Sequence, residues 1–167
     1  KSKIDHGLLV SDDIINDLIV NILSNKKYYN RLIFDGYPRN LNQAKSLDAL
    51  VKKYKQKISC ILSLKVDKET IIKRISGRLV CTKCNLTFNK FFNLPKKEKY
   101  KCNLKYLVVR TDDNEKTIKN RFETYIKKTL PILDYYADQK ILHEIDGTGE
   151  ISAIYGQISS IIASLEA

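Results

Sequence analysis

Apolar positions recur along this chain at helical spacing in several stretches and as short continuous runs in others. Ile14, Ile15, Leu18, Ile19 and Ile22 follow the spacing of a helix. Ser11 ahead of them suits an N-cap, and Asp12 and Asp13 place negative charge in the first turn. Leu32, Ile33 and Phe34 form a short run ending at Asp35, which predicts a buried strand. Gly36-Tyr37-Pro38-Arg39 reads as a loop, and Asn40 as the cap of a second helix with Leu47, Leu50, Val51 and Tyr54 on one face. The run from Cys60 to Val66 predicts another buried strand, and Asp67 caps a helix through Ile71, Ile72 and Ile75. From about residue 79 to 110 the pattern changes to short β-prone pieces, Lys-rich loops and three cysteines, as in an inserted subdomain. Helical spacing resumes near Asn114. Phe122, Ile126, Leu130 and Leu133 form a stripe that Pro131 should kink. Ile141 to Ile145 is a third strand candidate, Gly147-Thr148-Gly149 a turn, and an amphipathic helix starts near Ile151. Strands alternating with helices predict an α/β fold on a parallel sheet.

The 167 residues suffice for one domain with a small insertion, and a hydrophobic fraction of 43% can fill its core. No stretch approaches the roughly 20 apolar residues of a membrane helix, and the chain opens without a signal-peptide pattern. The formal charge of +11, from 30 Lys and Arg against 19 Asp and Glu, suits a polyanionic partner: nucleic acid, an anionic membrane or nucleotide phosphates. Lysine pairs such as Lys52-Lys53 and Lys96-Lys97 read equally well as solvated faces. Cys60, Cys81, Cys84 and Cys102 point to a thiol or metal role rather than a disulfide framework, with Cys60 a small core hydrophobe. The chain contains no methionine, so more protein is expected ahead of Lys1.

The arginines sit at more specific places than the lysines. A guanidinium grips two phosphate oxygens at once and stays charged when desolvated. Arg39 follows a strand end, where α/β sheets bind ligands. Arg74 and Arg78 lie at i, i+4, so one helix face should present both, and Arg110 and Arg121 flank the end of the inserted segment. Asp35 ends an apolar run, where it reads either as an ordinary turn residue or as a carboxylate open to a cation. Gln43, three residues after Asn40, could close a capping box.

The segment Phe34-Asp35-Gly36-Tyr37-Pro38-Arg39-Asn40, with Gln43-Ala44 after it, resembles the signature of adenylate kinases. Gly7-Leu8-Leu9-Val10-Ser11-Asp12 resembles the family's AMP-side element, Arg74-Ile75-Ser76-Gly77-Arg78 the hinge into its lid, and Arg110-Thr111-Asp112-Asp113 with Arg121 the exit from it. The resemblance implies the parallel-sheet, phosphate-loop nucleoside monophosphate kinase fold with a small β-rich lid. It divides the chain into an AMP-binding remainder and core (1–78), a lid (79–110) and core helices with the last strand (111–167). One departure is large. The family's GxxxxGK[ST] phosphate loop does not occur in these 167 residues, so the chain reads as N-terminally truncated, without the first, central strand. A fragment of that kind is expected to be inactive and poorly folded on its own.

The activity implied is MgATP + AMP ⇌ 2 ADP. The resemblance makes Arg39, Arg74, Arg78, Arg110, Arg121 and Asp35 the catalytic set. It assigns AMP to Leu8, Leu9, Val10, Gly36, Tyr37, Pro38, Arg39, Gln43, Arg110 and Arg121, with Gln43 on the adenine edge. It assigns ATP to Arg74, Arg78, Thr87, Phe88 and Gly149. Cys81-x₂-Cys84 followed by Cys102 resembles the zinc-bearing lid of some members. Zinc wants four ligands, and the position with two residues between it and Cys102 is Lys105, so Asp112 or a water would have to complete the site. The partners implied are ATP, AMP and ADP, with no membrane or nucleic acid, in a cytoplasmic protein that is a monomer when complete. The alternatives are a nucleotide- or RNA-binding remnant without activity, and a UMP/CMP-type kinase.

Overall fold

The computed structural model describes residues 12–96 and 100–166. The expectations for Leu8, Leu9, Val10 and Ser11 lie outside the described residues. In chain order the elements are α1 (Asp12–Leu23), a 3₁₀ turn (Lys26–Tyr28), α2 (Leu41–Lys53), β1 (Ile61–Lys65), α3 (Lys68–Ser76), β2 (Arg78–Cys81), β3 (Thr87–Asn89), a 3₁₀ turn (Leu104–Tyr106), β4 (Leu107–Val108), α4 (Glu115–Thr124), a π turn (Tyr125–Thr129), α5 (Pro131–Ala137), β5 (Leu142–Asp146) and α6 (Ile151–Glu166). They form two compact units, one holding Val66–Arg121, the other the described residues up to Lys65 together with those from Phe122 on. The first extends beyond 79–110 at both ends.

In the discontinuous unit β1 and β5 pair in parallel, with Ile61 opposite Leu142 and Lys65 opposite Asp146. Ile19 and Leu23 of α1 pack on Leu47 and Val51 of α2, joined by Leu32, Phe34 and Tyr37. Ala44 of α2 packs against Ile132 and Tyr136 of α5. That junction is tied by Asp48, whose carboxylate accepts from the Tyr135 hydroxyl at 2.6 Å, the Tyr136 hydroxyl at 3.3 Å and Gln139 Nε2 at 3.2 Å. Burial first, then Asp48, raises the Tyr136 phenol above its usual range. Asn40 caps α2 by accepting from the Gln43 N–H at 2.8 Å. Pro131 has no N–H to give, and the chain passes it through the π turn, with the Leu130 N–H on the Tyr125 carbonyl at 2.9 Å, before α5 starts at the proline.

Two expectations need correction in this unit. Leu32–Phe34 forms no strand, and Ile33 is 89% exposed. A strand exists only through a hydrogen-bonded neighbour, and none of the described strands pairs with this run. The helix expected from the spacing of Ile14 to Ile22 is present as α1, with Ile19 and Leu23 buried and Ile14, Leu18 and Ile22 exposed. Cys60 is half-buried and precedes β1 rather than lying within it.

In the Val66–Arg121 unit a three-stranded antiparallel sheet runs in the order β3-β2-β4. Phe88, opposite Leu79, meets the buried Tyr100 edge-on at 5.0 Å. Asp67 caps α3 by accepting from the Thr70 N–H at 2.8 Å. Gly77 ends α3 and sits in a tight corner. A Cβ there would lie 2.6 Å from Asn89 Oδ1, 2.6 Å from Phe91 Cδ2 and 2.8 Å from the Lys73 carbonyl. Arg78 therefore belongs to β2, and the idea that one helix face presents both Arg74 and Arg78 is wrong.

Candidate functional site

The residues expected to act fall in both units. In the discontinuous unit the loop before α2 is built around its own backbone. Gly36 sits at φ 68°, a conformation glycine adopts freely. Its carbonyl accepts from Arg39 Nε at 2.6 Å. The backbone of Arg39 is held at both ends, its N–H donating to Gln43 Oε1 at 2.7 Å and its carbonyl accepting from Thr129 Oγ1 at 2.8 Å. Gln43 is 1% exposed, and its Nε2 donates to Asp12 Oδ1 at 2.7 Å. This is a variant of the capping box, displaced by one residue onto the N–H ahead of Asn40. The Tyr37–Pro38 peptide is cis, and the Tyr37 ring lies against Phe34 at 6.0 Å. Burial, then the charge of Asp12, pushes the Tyr37 phenol up. Asp35 is exposed. Gly149 is exposed too, with open space where a Cβ would point.

In the Val66–Arg121 unit three arginines meet two aspartates. Arg110 grips Asp112 with two bonds, Nε at 2.9 Å and Nη2 at 2.8 Å. Arg121 Nη2 reaches the same carboxylate at 2.7 Å. Although burial acts to raise it, the hydrogen bonds from Arg110 and Arg121 and the charge of Arg110 pull Asp112 down to about 2. The Asp113 side chain is wholly buried between Arg78 Nε at 3.2 Å and Arg121 Nη1 at 3.9 Å. Neither of its oxygens accepts a hydrogen bond among the described residues. The pairing is thus one of charge, with hydrogen-bonding capacity left over. Arg74 lies apart from these pairs, its guanidinium 6.0 Å from the Phe92 ring centre. Thr87 is exposed on β3, whereas Phe88 packs on Tyr100.

The thiols of Cys81, Cys84 and Cys102 all lie within 4.8 Å of one another. The Tyr100 hydroxyl approaches Cys81 Sγ at 3.2 Å. Burial acts to raise the Cys81 thiol, but bonds from Tyr100 and from the N–H groups of Cys84 and Lys83 outweigh it and hold it low. Cys102 is pushed up by burial and by its two sulfur neighbours. Asp112, named above as a possible fourth zinc ligand, is bound to Arg110 and Arg121. Sequence reasoning passed over Asp113, Tyr100 and Thr129 as site-building residues. Asp113 had a signal in its place beside Asp112 in the quoted motif; the other two had none.

No helix among the described residues is long and apolar enough to cross a membrane. A profile of the adenylate kinase family matches residues 1–141. A protein named adenylate kinase from Pelagibacter ubique is 42% identical over 159 residues, 95% of this chain and 75% of its own length. Adenylate kinases of Enterococcus faecalis and Clostridium botulinum are 36% and 38% identical over 164 residues, each match covering 97% of this chain and 76% of the relative. The α/β architecture with a parallel strand pair agrees with the nucleoside monophosphate kinase fold. Match, motifs and fold together make this chain a member of the adenylate kinase family, the phosphotransferases that act on nucleoside monophosphates.

Proposed function

We propose that the protein catalyses reversible phosphoryl transfer from MgATP to AMP, giving two ADP. The observation that carries this reading is the line of charges Arg110, Asp112, Arg121, Asp113, Arg78. Phosphoryl transfer asks the protein for positioning and for neutralisation of phosphate charge, with little covalent help. Three guanidinium groups held on two carboxylates are placed to exchange those carboxylates for phosphate oxygens. Asp112 and Asp113 act as positioning residues that keep the arginines gathered. Arg39 takes the AMP phosphate, with its backbone fixed through Gln43 and Thr129. Gln43 serves AMP through Arg39; contact with the adenine edge would require it to give up its bonds to Arg39 and Asp12. Arg74 and Arg78 face ATP, and Gly149 offers a backbone contact to its adenine. Residues 79–110 serve as a lid that excludes water competing for the phosphoryl group. Asp35 offers the hard carboxylate oxygens that Mg²⁺ prefers. Bound with ATP, the ion would add neutralising charge at the phosphates. Four free cysteines suit a reducing compartment, which supports a cytoplasmic location.

Coupled assays of the complete enzyme with AMP, UMP, CMP and GMP test the substrate assignment. AMP is expected to be preferred. A clear preference for UMP would replace the reading with a pyrimidine nucleotide kinase.

A further inference from the structure

The three thiols of the small sheet do not fit a closed zinc site. Zinc in structural sites is four-coordinate, and the side chains considered for the fourth position among the described residues are otherwise engaged. The ammonium of Lys105 lies 5.3 Å from the centre of the Tyr106 ring. Asp112 is held by Arg110 and Arg121, and Asp113 sits between Arg78 and Arg121. Among the described residues no other His, Cys, Asp or Glu joins the cluster. What remains among the described residues is a donor set of three soft sulfurs and no nitrogen or carboxylate oxygen.

Each sulfur is placed by a different piece of backbone. Cys81 ends β2. Its carbonyl accepts from the Asn85 N–H at 2.9 Å, closing the turn that carries Cys84. Cys102 precedes a 3₁₀ turn capped by Asn103. The Tyr100 hydroxyl steadies Cys81 Sγ from the protein side. Metal–sulfur bonds of about 2.3 Å put the sulfurs of a trigonal site roughly 4 Å apart, a spacing the 4.8 Å limit accommodates. Soft ligands select soft ions, and three thiolates complete the shell of a cuprous ion, whereas zinc would keep an open position for water.

We propose that Cys81, Cys84 and Cys102 form a three-thiolate site for a soft, thiophilic ion of the cuprous class, with Lys105 in the place where a fourth ligand would close the site for zinc. Binding releases the protons of whichever thiols are still protonated and forms three metal–sulfur bonds, with no change of oxidation state.

The chain, reduced and metal-free without oxygen, is titrated with Cu(I) from a competing chelator, and in parallel with Zn²⁺ and Co²⁺. One equivalent of Cu(I) should protect three of the four thiols from alkylation and leave Cys60 reactive. X-ray absorption should find three sulfurs on the copper. Co²⁺ should show a spectrum that shifts when imidazole is added, as an open position requires. Lys105→Cys should raise zinc affinity on the order of a hundredfold by closing the tetrahedron, with Cu(I) affinity changed by less than roughly threefold. Cys84→Ser, at an exposed position, controls for misfolding and should abolish three-sulfur binding. Two-sulfur copper, a Co²⁺ spectrum indifferent to imidazole, or a zinc affinity unmoved by Lys105→Cys would overturn the proposal.

Discussion

Arg39 and Asp112 show two ways a single residue can bear on this site. Arg39 is an exposed guanidinium whose backbone is gripped by a buried glutamine. Removing its side chain should leave the loop standing and cost roughly 2–4 kcal/mol of transition-state stabilisation. Steady-state kinetics of Arg39→Ala in the complete enzyme should show kcat/KM for AMP falling accordingly, with the melting temperature little changed. Asp112 works through its charge. Its folded-state value of about 2 lies below the 3.8 of an unperturbed aspartate. Its contribution to stability is therefore present above about pH 4 and lost as pH falls toward 2. Thermal melts across that range should show wild type losing more stability than Asp112→Asn, which lacks the titrating group. Residue types were legible in the sequence here, and their partners were not. The Gly-Tyr-Pro-Arg motif singled out Arg39. The capping-box spacing signalled that Gln43 would reach back to the helix start, but nothing in the string revealed that it would take the Arg39 N–H and Asp12, or which of two adjacent aspartates would be buried.

Helix caps were the most legible feature at the level of elements. Asn40 and Asp67 each accept from the N–H three residues on, because a cap is a local bond between near neighbours. The strands were less so. Ile61–Lys65 and Leu142–Asp146 found each other, but the equally apolar Leu32–Phe34 run did not become a strand, since pairing belongs to two segments and periodicity to one. The i, i+4 reading of Arg74 and Arg78 failed at Gly77, where the helix stops. That corner gives the clearest test of an element. Gly77 has an ordinary φ of −87°, so alanine there meets a problem of space and not of backbone strain. With the Lys73 carbonyl among the atoms it would strike, relief requires moving backbone. Gly77→Ala should cost about 1–3 kcal/mol in denaturant unfolding, whereas Gly149→Ala, with nothing near its added methyl, should stay within roughly 0.5 kcal/mol.

Across the whole molecule, charge and chemistry are unevenly shared. Val66–Arg121 holds fifteen of the thirty cationic residues but six of the nineteen acidic ones, so nine of the eleven net positive charges lie there. Arginines alone do not make a kinase. The backbone cradle and lysine of a phosphate loop have no counterpart in these 167 residues. Residues 1–167 expressed alone should form ADP at no more than the background rate, and turnover well above it would show that another part of the chain cradles the ATP phosphates. The α/β class was readable from pattern alone. The division at Lys65 and Arg121 was not, because it reflects contacts and not composition. The Asp48 tie has a consequence for how the protein is made. Its acceptor and its donors Tyr135 and Tyr136 stand 87 and 88 residues apart, and Ile61 of β1 must wait for Leu142 of β5, 81 residues on. On the ribosome the small sheet, whose contacts are nearer in sequence, can close as soon as it emerges, while β1 stays an open edge through all of that synthesis. Nascent chains stalled with Arg121 just outside the exit tunnel should resist a protease pulse across the small sheet and be cut in α2 and β1, and those stalled once β5 has emerged should resist in both.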